Sequence, residues 1–141
     1  MIETASLLLP ASRGAMTWRV GDNGFEMTLS SELPALIGSC VRGWCEKWLG
    51  HAGVGLGDIA AWAIHPGGRT VLDAVERAFA LPPDALDVSR EVLRRYGNMS
   101  SGTVMFVLAE MLRKAVHGAK GCAMAFGPGL TAETMLFRTA G

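Results

Sequence analysis

Charge is what this sequence has least of. Charged residues make up 18% of its 141 positions, thirteen basic against thirteen acidic, so the formal net charge is zero. That balance removes the attraction drawing basic chains to nucleic acid or anionic membranes, and neither is expected as a partner. Cysteine is scarce as well. Three cysteines, an odd count without framework spacing, fit reduced thiols in a cytoplasm rather than a stapled secreted domain. No stretch approaches the ~18 apolar residues of a membrane span. The start, MIETASLLLP, carries an acidic residue where a secretory signal wants lysine or arginine, so a cytoplasmic protein is expected. HExxH, paired CxxC and GxSxG are all missing, which leaves no expected metal site and little support for a serine hydrolase.

Apolar residues, by contrast, are abundant. The hydrophobic fraction is 50%, high for a domain of this size, and part of that area is expected to face a partner. No repeat, low-complexity tract or charged linker divides the chain, so residues 1–141 read as one domain.

The hydrophobic period changes along the chain. SLLLP, AMTWRV and FEMTL read as short strands, with turn chemistry at Gly21 to Gly24. From Leu33 to Leu49 apolar residues recur at helical spacing. Ser30 or Ser31 is expected to cap that helix, Pro34 to sit in its first turn and Gly50 to end it. Ile59 to Ile64 is a continuous apolar run, as in a strand buried on both sides. Thr70 to Phe79 is again helical and stops before Pro82-Pro83. Val88 to Tyr96 is a short helix capped by Asp87 or Ser89. Gly102 to Val116 is a third, apolar almost all round from Thr103 to Ala109 and so expected to be buried on every side. CAMAF and ETMLF form a strand pair across GPGLT. This order gives a layered α/β domain, a sheet with helices on both faces and one central buried helix.

Candidate chemistry is sparse. Cys40 and Cys45 lie five residues apart on one helix, roughly 140° around its axis, so they converge on no metal and suit no disulfide. Cys122 is embedded in an apolar strand. All three read as packing residues. His51 and His117, in glycine-containing connections, read as solvated. His65 differs, because it ends a buried strand where ligand chemistry collects in open α/β sheets. Pro66-Gly67-Gly68 then allows close approach of a ligand or backbone. Asn98, in YGNMSSG, precedes the most apolar helix. The bland alternatives are a histidine satisfied in the core and an asparagine capping a helix. The sharper reading is a two-donor oxyanion site in a dry cavity, each side chain offering one N–H.

Taken together, GFEMTLSSELPALI, WAIHPGG, SREVLRRYGNMSSG and FGPGLTAETM resemble the C-terminal half of a type III polyketide synthase, the chalcone and stilbene synthase family of the thiolase fold. The resemblance runs from about the AMTW segment to the end, and residues 1–14 match weakly. It implies an acyltransferase that condenses malonyl-CoA units onto an acyl-CoA starter, with CoA thioesters as substrates and no bound cofactor. His65 and Asn98 match the histidine and asparagine of the family's Cys-His-Asn triad. Gly67 and Gly68 match backbone near the pantetheine arm, Ser100 a cavity-lining position, and Gly127, Pro128 and Gly129 the loop shaping the polyketide pocket. Met27 stands where plant members have a phenylalanine gate. Ala125 and Arg69 replace a glycine and a proline of the family pattern. The triad cysteine and the basic residues that hold CoA phosphates belong to the family's N-terminal half. None of Cys40, Cys45 and Cys122 falls in a matching segment. The resemblance therefore implies a missing N-terminal half as partner and homodimers of complete subunits. The alternatives are a non-catalytic remnant that binds CoA esters or a partner subunit, and a ketoacyl-ACP synthase III-like half.

Overall fold

The computed structural model describes residues 2–10, 12–114 and 116–140. Strand β1 (Glu3–Leu8) leads into a hairpin, β2 (Met16–Gly21) and β3 (Gly24–Leu29). Helix α1 (Leu33–His51), strand β4 (Ile59–Ile64) and helices α2 (Arg69–Phe79), α3 (Asp87–Tyr96) and α4 (Thr103–Lys114) follow. Strands β5 (Lys120–Gly127) and β6 (Thr131–Arg138) close the order.

Four strands form the main sheet in the order β1-β6-β5-β4, and β2-β3 pair separately. β4 runs parallel to β5, while β6 is antiparallel to both β5 and β1. β1, β4 and β5 therefore share a direction and end at one edge of the sheet. The weakly matched start of the chain is thus an integral strand.

Side chains alternate across the sheet, as period two requires. Trp62, Ile64, Cys122, Met124 and Leu136 pack with α1 and α2. Ala63, Ala123 and Phe137 pack with Val92 of α3 and with Val107 and Met111 of α4. Helices thus cover both faces. From α1, Ile37, Val41, Cys45 and Leu49 are wholly buried at helical spacing, and each aliphatic one contributes about 1.5–3 kcal/mol by leaving water.

Several local expectations are corrected. Neither Ser30 nor Ser31 is the α1 cap: Glu32 holds that place without a side-chain bond, and Ser30 Oγ accepts the Glu32 N–H at 3.1 Å. Pro34 does sit in the first turn, but the helix continues through Gly50 to His51. Leu86, not Asp87 or Ser89, caps α3, and Ser89 Oγ is buried with no hydrogen-bond partner among the described residues. β4 is the outer strand of its sheet, so its start is open: Ala60 is exposed and the register shifts between Ile59 and Ala61.

The largest correction concerns α4. It buries only Thr103, Val107 and Met111, while Met105 is 62% exposed and Phe106 47%. Among the described residues nothing covers that apolar side. Residue 115, within the expected helix, lies outside the described residues.

Candidate active site

The sheet's direction decides what can meet. Because β1, β4 and β5 end together, the loops after them emerge side by side: residues 65–68 after β4, residues 128–130 after β5, and the connection from β1 into the hairpin. The HPGG and GPG segments thus share one edge.

His65 lies just past β4. Its backbone N–H donates to the Met124 carbonyl at 2.8 Å, and its own carbonyl accepts the Gly67 N–H at 3.0 Å. The side chain is 8% exposed, and Nδ1 is buried with no hydrogen-bond partner among the described residues. Burial penalises the imidazolium and pulls its pKa below the ordinary 6.5, so the neutral ring is favoured.

Gly67 is the hinge of the arrangement. A methyl group there would lie 3.8 Å from the His65 Cδ2 and 3.9 Å from Nε2, so the imidazole edge flanks this backbone. On the other side Asn98 Nδ2 donates to the Gly67 carbonyl at 3.2 Å. Histidine and asparagine, 33 residues apart, thus converge on one residue.

Asn98 is delivered by α3. Arg90 holds that helix against α2 through Asp73 at 2.8 Å and Glu76 at 2.7 Å. Its guanidinium is correspondingly stabilised, foremost by the Glu76 bond. Gly97 then turns the chain at φ +71°, a conformation that favours glycine. Asn98 Oδ1 accepts the Ser100 N–H at 2.9 Å, closing an Asx turn. The capping reading is not met: Met99, not Asn98, holds the cap place of the short turn 100–102 before α4, without a side-chain bond. Ser100 is exposed and itself left-handed, at φ +59°.

Thr103 was legible only as a helix start. It is fully buried; its Oγ1 accepts the Met99 N–H at 2.8 Å and donates to the Ser100 carbonyl at 2.9 Å. A hydroxyl five positions beyond the asparagine, across a turn, was the available signal.

The remaining site residues form a second group. Gly127 ends β5, and the Gly129 N–H donates to the Met16 carbonyl at 3.1 Å. Ser12 Oγ donates to the Gly129 carbonyl at 3.2 Å. The GPG loop is thereby tied to the base of the hairpin that carries Met27, which is 48% exposed opposite Trp18. Gly68 is extended backbone leading straight into α2. No hydrogen bond joins the 127–129 loop or Met27 to His65 or Asn98 among the described residues.

The expectation of a dry cavity is not met within this chain. His65 is buried, but Asn98 is exposed. Two surface hollows, of about 390 Å³ beside β4 and about 230 Å³ between α3 and α4, include neither residue.

The cysteines behave as packing residues. Cys45 and Cys122 are completely buried, one on α1 and one on β5. The neighbouring Cys45 and burial push the Cys122 thiol well above its usual range, so it stays protonated. Cys40 is partly exposed beside Ser39 Oγ, 3.4 Å away. His51 and His117 are exposed, as expected. No cluster of three or more metal-ligating side chains occurs among the described residues, and no helix there is long and apolar enough to cross a membrane.

A sheet of this topology with helices on both faces is a thiolase-like α/β architecture. The crystal structure of PKS-I from the brown alga Ectocarpus siliculosus superposes with a TM-score of 0.88 at 29% identity, over 97% of this chain and 38% of that one. The family described as chalcone and stilbene synthases, C-terminal domain, matches residues 1–141, and the chain belongs to it. Bisdemethoxycurcumin synthase from Oryza sativa subsp. japonica is 36% identical over 96% of this chain and 37% of its own length. Type III polyketide synthase C from Arabidopsis thaliana is 36% identical over 92% and 36% respectively. The chain thus spans little more than a third of the length of these relatives.

Proposed function

We propose that these 141 residues supply the oxyanion side of a decarboxylative condensing site, as part of a type III polyketide synthase. The observation that carries this reading is the convergence of the His65 imidazole and the Asn98 carboxamide on Gly67, at the sheet edge that also bears the 127–129 loop. Family membership favours this reaction over that of a ketoacyl-ACP synthase III.

In the proposed reaction an acyl-CoA starter first passes its acyl group to a cysteine thiolate, releasing CoA. Malonyl-CoA then loses carbon dioxide, and the electron pair of the broken C–C bond becomes an enolate. The enolate carbon attacks the thioester carbonyl, the new C–C bond forms, and collapse of the tetrahedral intermediate breaks the C–S bond and returns the thiolate. The N–H groups of His65 and Asn98 stabilise the two oxyanions, where preorganised donors act most strongly. Gly67 and Gly68 leave room for the pantetheine arm, and Ser100 and the 127–129 loop line the chain's pocket. Met27, flexible and polarizable, softens the entrance.

The nucleophile comes from elsewhere. Cys45 and Cys122 are sealed in the core, and Cys40 lies within α1, on none of the loops after β4 and β5. An N-terminal half carrying the cysteine would pack on the apolar side of α4 and on the hairpin, where Val20 is 78% exposed and Phe25 71%. Covering these surfaces would also dry the site around Asn98. Complete subunits would pair as homodimers.

The same open surfaces favour a second reading, a non-catalytic module that holds CoA esters or a partner subunit. The test mixes the purified chain with malonyl-CoA and a starter acyl-CoA, alone and with a cysteine-bearing N-terminal half, and records intact mass and product. Turnover only in the mixture is expected. Product from the chain alone would overturn the claim about the nucleophile, and none from the mixture would favour the second reading.

A further inference from the structure

Asn98 is exposed, yet its amide keeps one bearing on Gly67. Its bond to Ser100 N–H ties it only to the turn it belongs to, so the bond to Gly67 keeps its direction only if that turn is itself held in place. The fixed point lies beneath. Thr103 begins α4, is wholly buried, and packs one helical turn before the equally buried Val107. Its single hydroxyl serves the loop twice, accepting from Met99 N–H at 2.8 Å and donating to the Ser100 carbonyl at 2.9 Å. Asn98 Oδ1 lies 3.5 Å from the same hydroxyl, too far to compete for the proton.

The segment between them needs holding. Ser100 sits at φ +59°, which L-residues other than asparagine and aspartate rarely adopt. It is gripped from both ends: its N–H by Asn98 Oδ1 and its carbonyl by Thr103 Oγ1. Such conformations persist only where the surroundings over-determine them. We propose that Thr103 is the positioning residue of the site, its hydroxyl locking the 98–103 turn so that the Asn98 carboxamide stays aimed at Gly67 beside His65. The consequence for catalysis rests on the role proposed above for Asn98, but the positioning itself does not.

The sequence makes the test unusually clean. It contains no glutamine and only two asparagines, Asn23 and Asn98, so the chain gives two pairs of side-chain carboxamide signals in a nitrogen-15 NMR spectrum. Asn23 is exposed in the hairpin turn and serves as the free reference. Asn98→Asp identifies the other pair. In Thr103→Val, which keeps the shape and removes the hydroxyl, the Asn98 pair should move toward the Asn23 shifts and its hydrogens should exchange faster. Thr103→Ser should keep the original signals. Unchanged Asn98 signals in Thr103→Val would overturn the proposal, as would Thr103→Ser shifting them as far as Thr103→Val does. Backbone signals of β4 and β5 report whether each variant folds. Should Thr103→Val not fold, Thr103→Ala against Thr103→Ser gives the same comparison of hydroxyl present and absent.

A second arm uses turnover with the N-terminal half supplied. Thr103→Val should lower kcat on the order of tenfold, within what a misplaced catalytic group costs. KM for malonyl-CoA should hold, and Thr103→Ser should restore the rate. In an Asn98→Ala background Thr103→Val should cost nothing more, since residues acting as a unit are not additive. Equal loss in both backgrounds would overturn the positioning role. Full turnover in Asn98→Ala would instead remove the functional reading of the site, and the amide signals would still decide what Thr103 does.

Discussion

His65 and Asn98 converge on one glycine by opposite means. The imidazole is held by packing: it is buried, and its Nδ1 bonds to nothing among the described residues. The carboxamide is held by hydrogen bonds: it is exposed, with both its oxygen and its nitrogen engaged. Packing suits a group whose charge must be controlled, since burial selects the neutral ring. Hydrogen bonding suits a neutral group that needs only direction. If both are oxyanion donors, each is kept in the state its chemistry requires by the force best able to do so.

The strongest attempt to break that comparison removes each donor in turn. His65→Gln and Asn98→Ala, each in the completed enzyme, should lower the condensation rate by at least ~10², as loss of an oxyanion donor does elsewhere. Steady-state turnover on malonyl-CoA checks this, and full activity in either variant would remove the assigned role. Stability should then separate the two. Asn98→Ala loses a turn-closing oxygen and should lower the unfolding free energy by about 1 kcal/mol, measured by urea titration of the chain.

The third effect is a pH dependence that only the histidine should show. Its folded pKa is depressed, so between that value and 6.5 the unfolded chain binds more protons than the folded one. The contribution is complete above pH 6.5 and is lost as pH falls through the folded pKa. Urea midpoints measured across that window should decline in the wild type and flatten in His65→Gln. Asn98→Ala should keep the decline. The smallest effect is expected at the meeting point. Gly67 does not adopt positive φ, and an added methyl would make ordinary contacts at 3.8 Å, so Gly67→Ala should change the chain's stability by less than ~0.5 kcal/mol. A large drop in Tm would show that the loop tolerates less than its spacing implies.

Hydrophobic period made the elements legible, because each strand and helix must turn an apolar face to something. The α1 stripe from Leu33 to Leu49 and the run from Ile59 to Ile64 fell where they were expected. The HPGG and GNMSSG segments marked the site through the resemblance, and periodicity alone would not have found it. Three kinds of feature stayed hidden. The cap failed at α1 because a serine near a helix start has backbone alternatives nearby, and Ser30 took one of them; at α3 Leu86 takes the cap place and Ser89 is buried inside the helix. The exposed side of α4 could not be read, since an apolar surface looks the same whether its cover is inside or outside the chain. The meeting of Cys45 with Cys122 and the double service of Thr103 depend on geometry between segments, which spacing along the chain does not carry.

The packing of the three thiols has a practical consequence for the acylation assay. An electrophile that cannot enter the core will find a single thiol on the native fold, that of Cys40, and three once the chain is unfolded. Slow adducts on that one sulfur are ordinary bench chemistry between a thioester and an accessible side chain. Cys40→Ser supplies the blank against which enzymatic transfer can be counted.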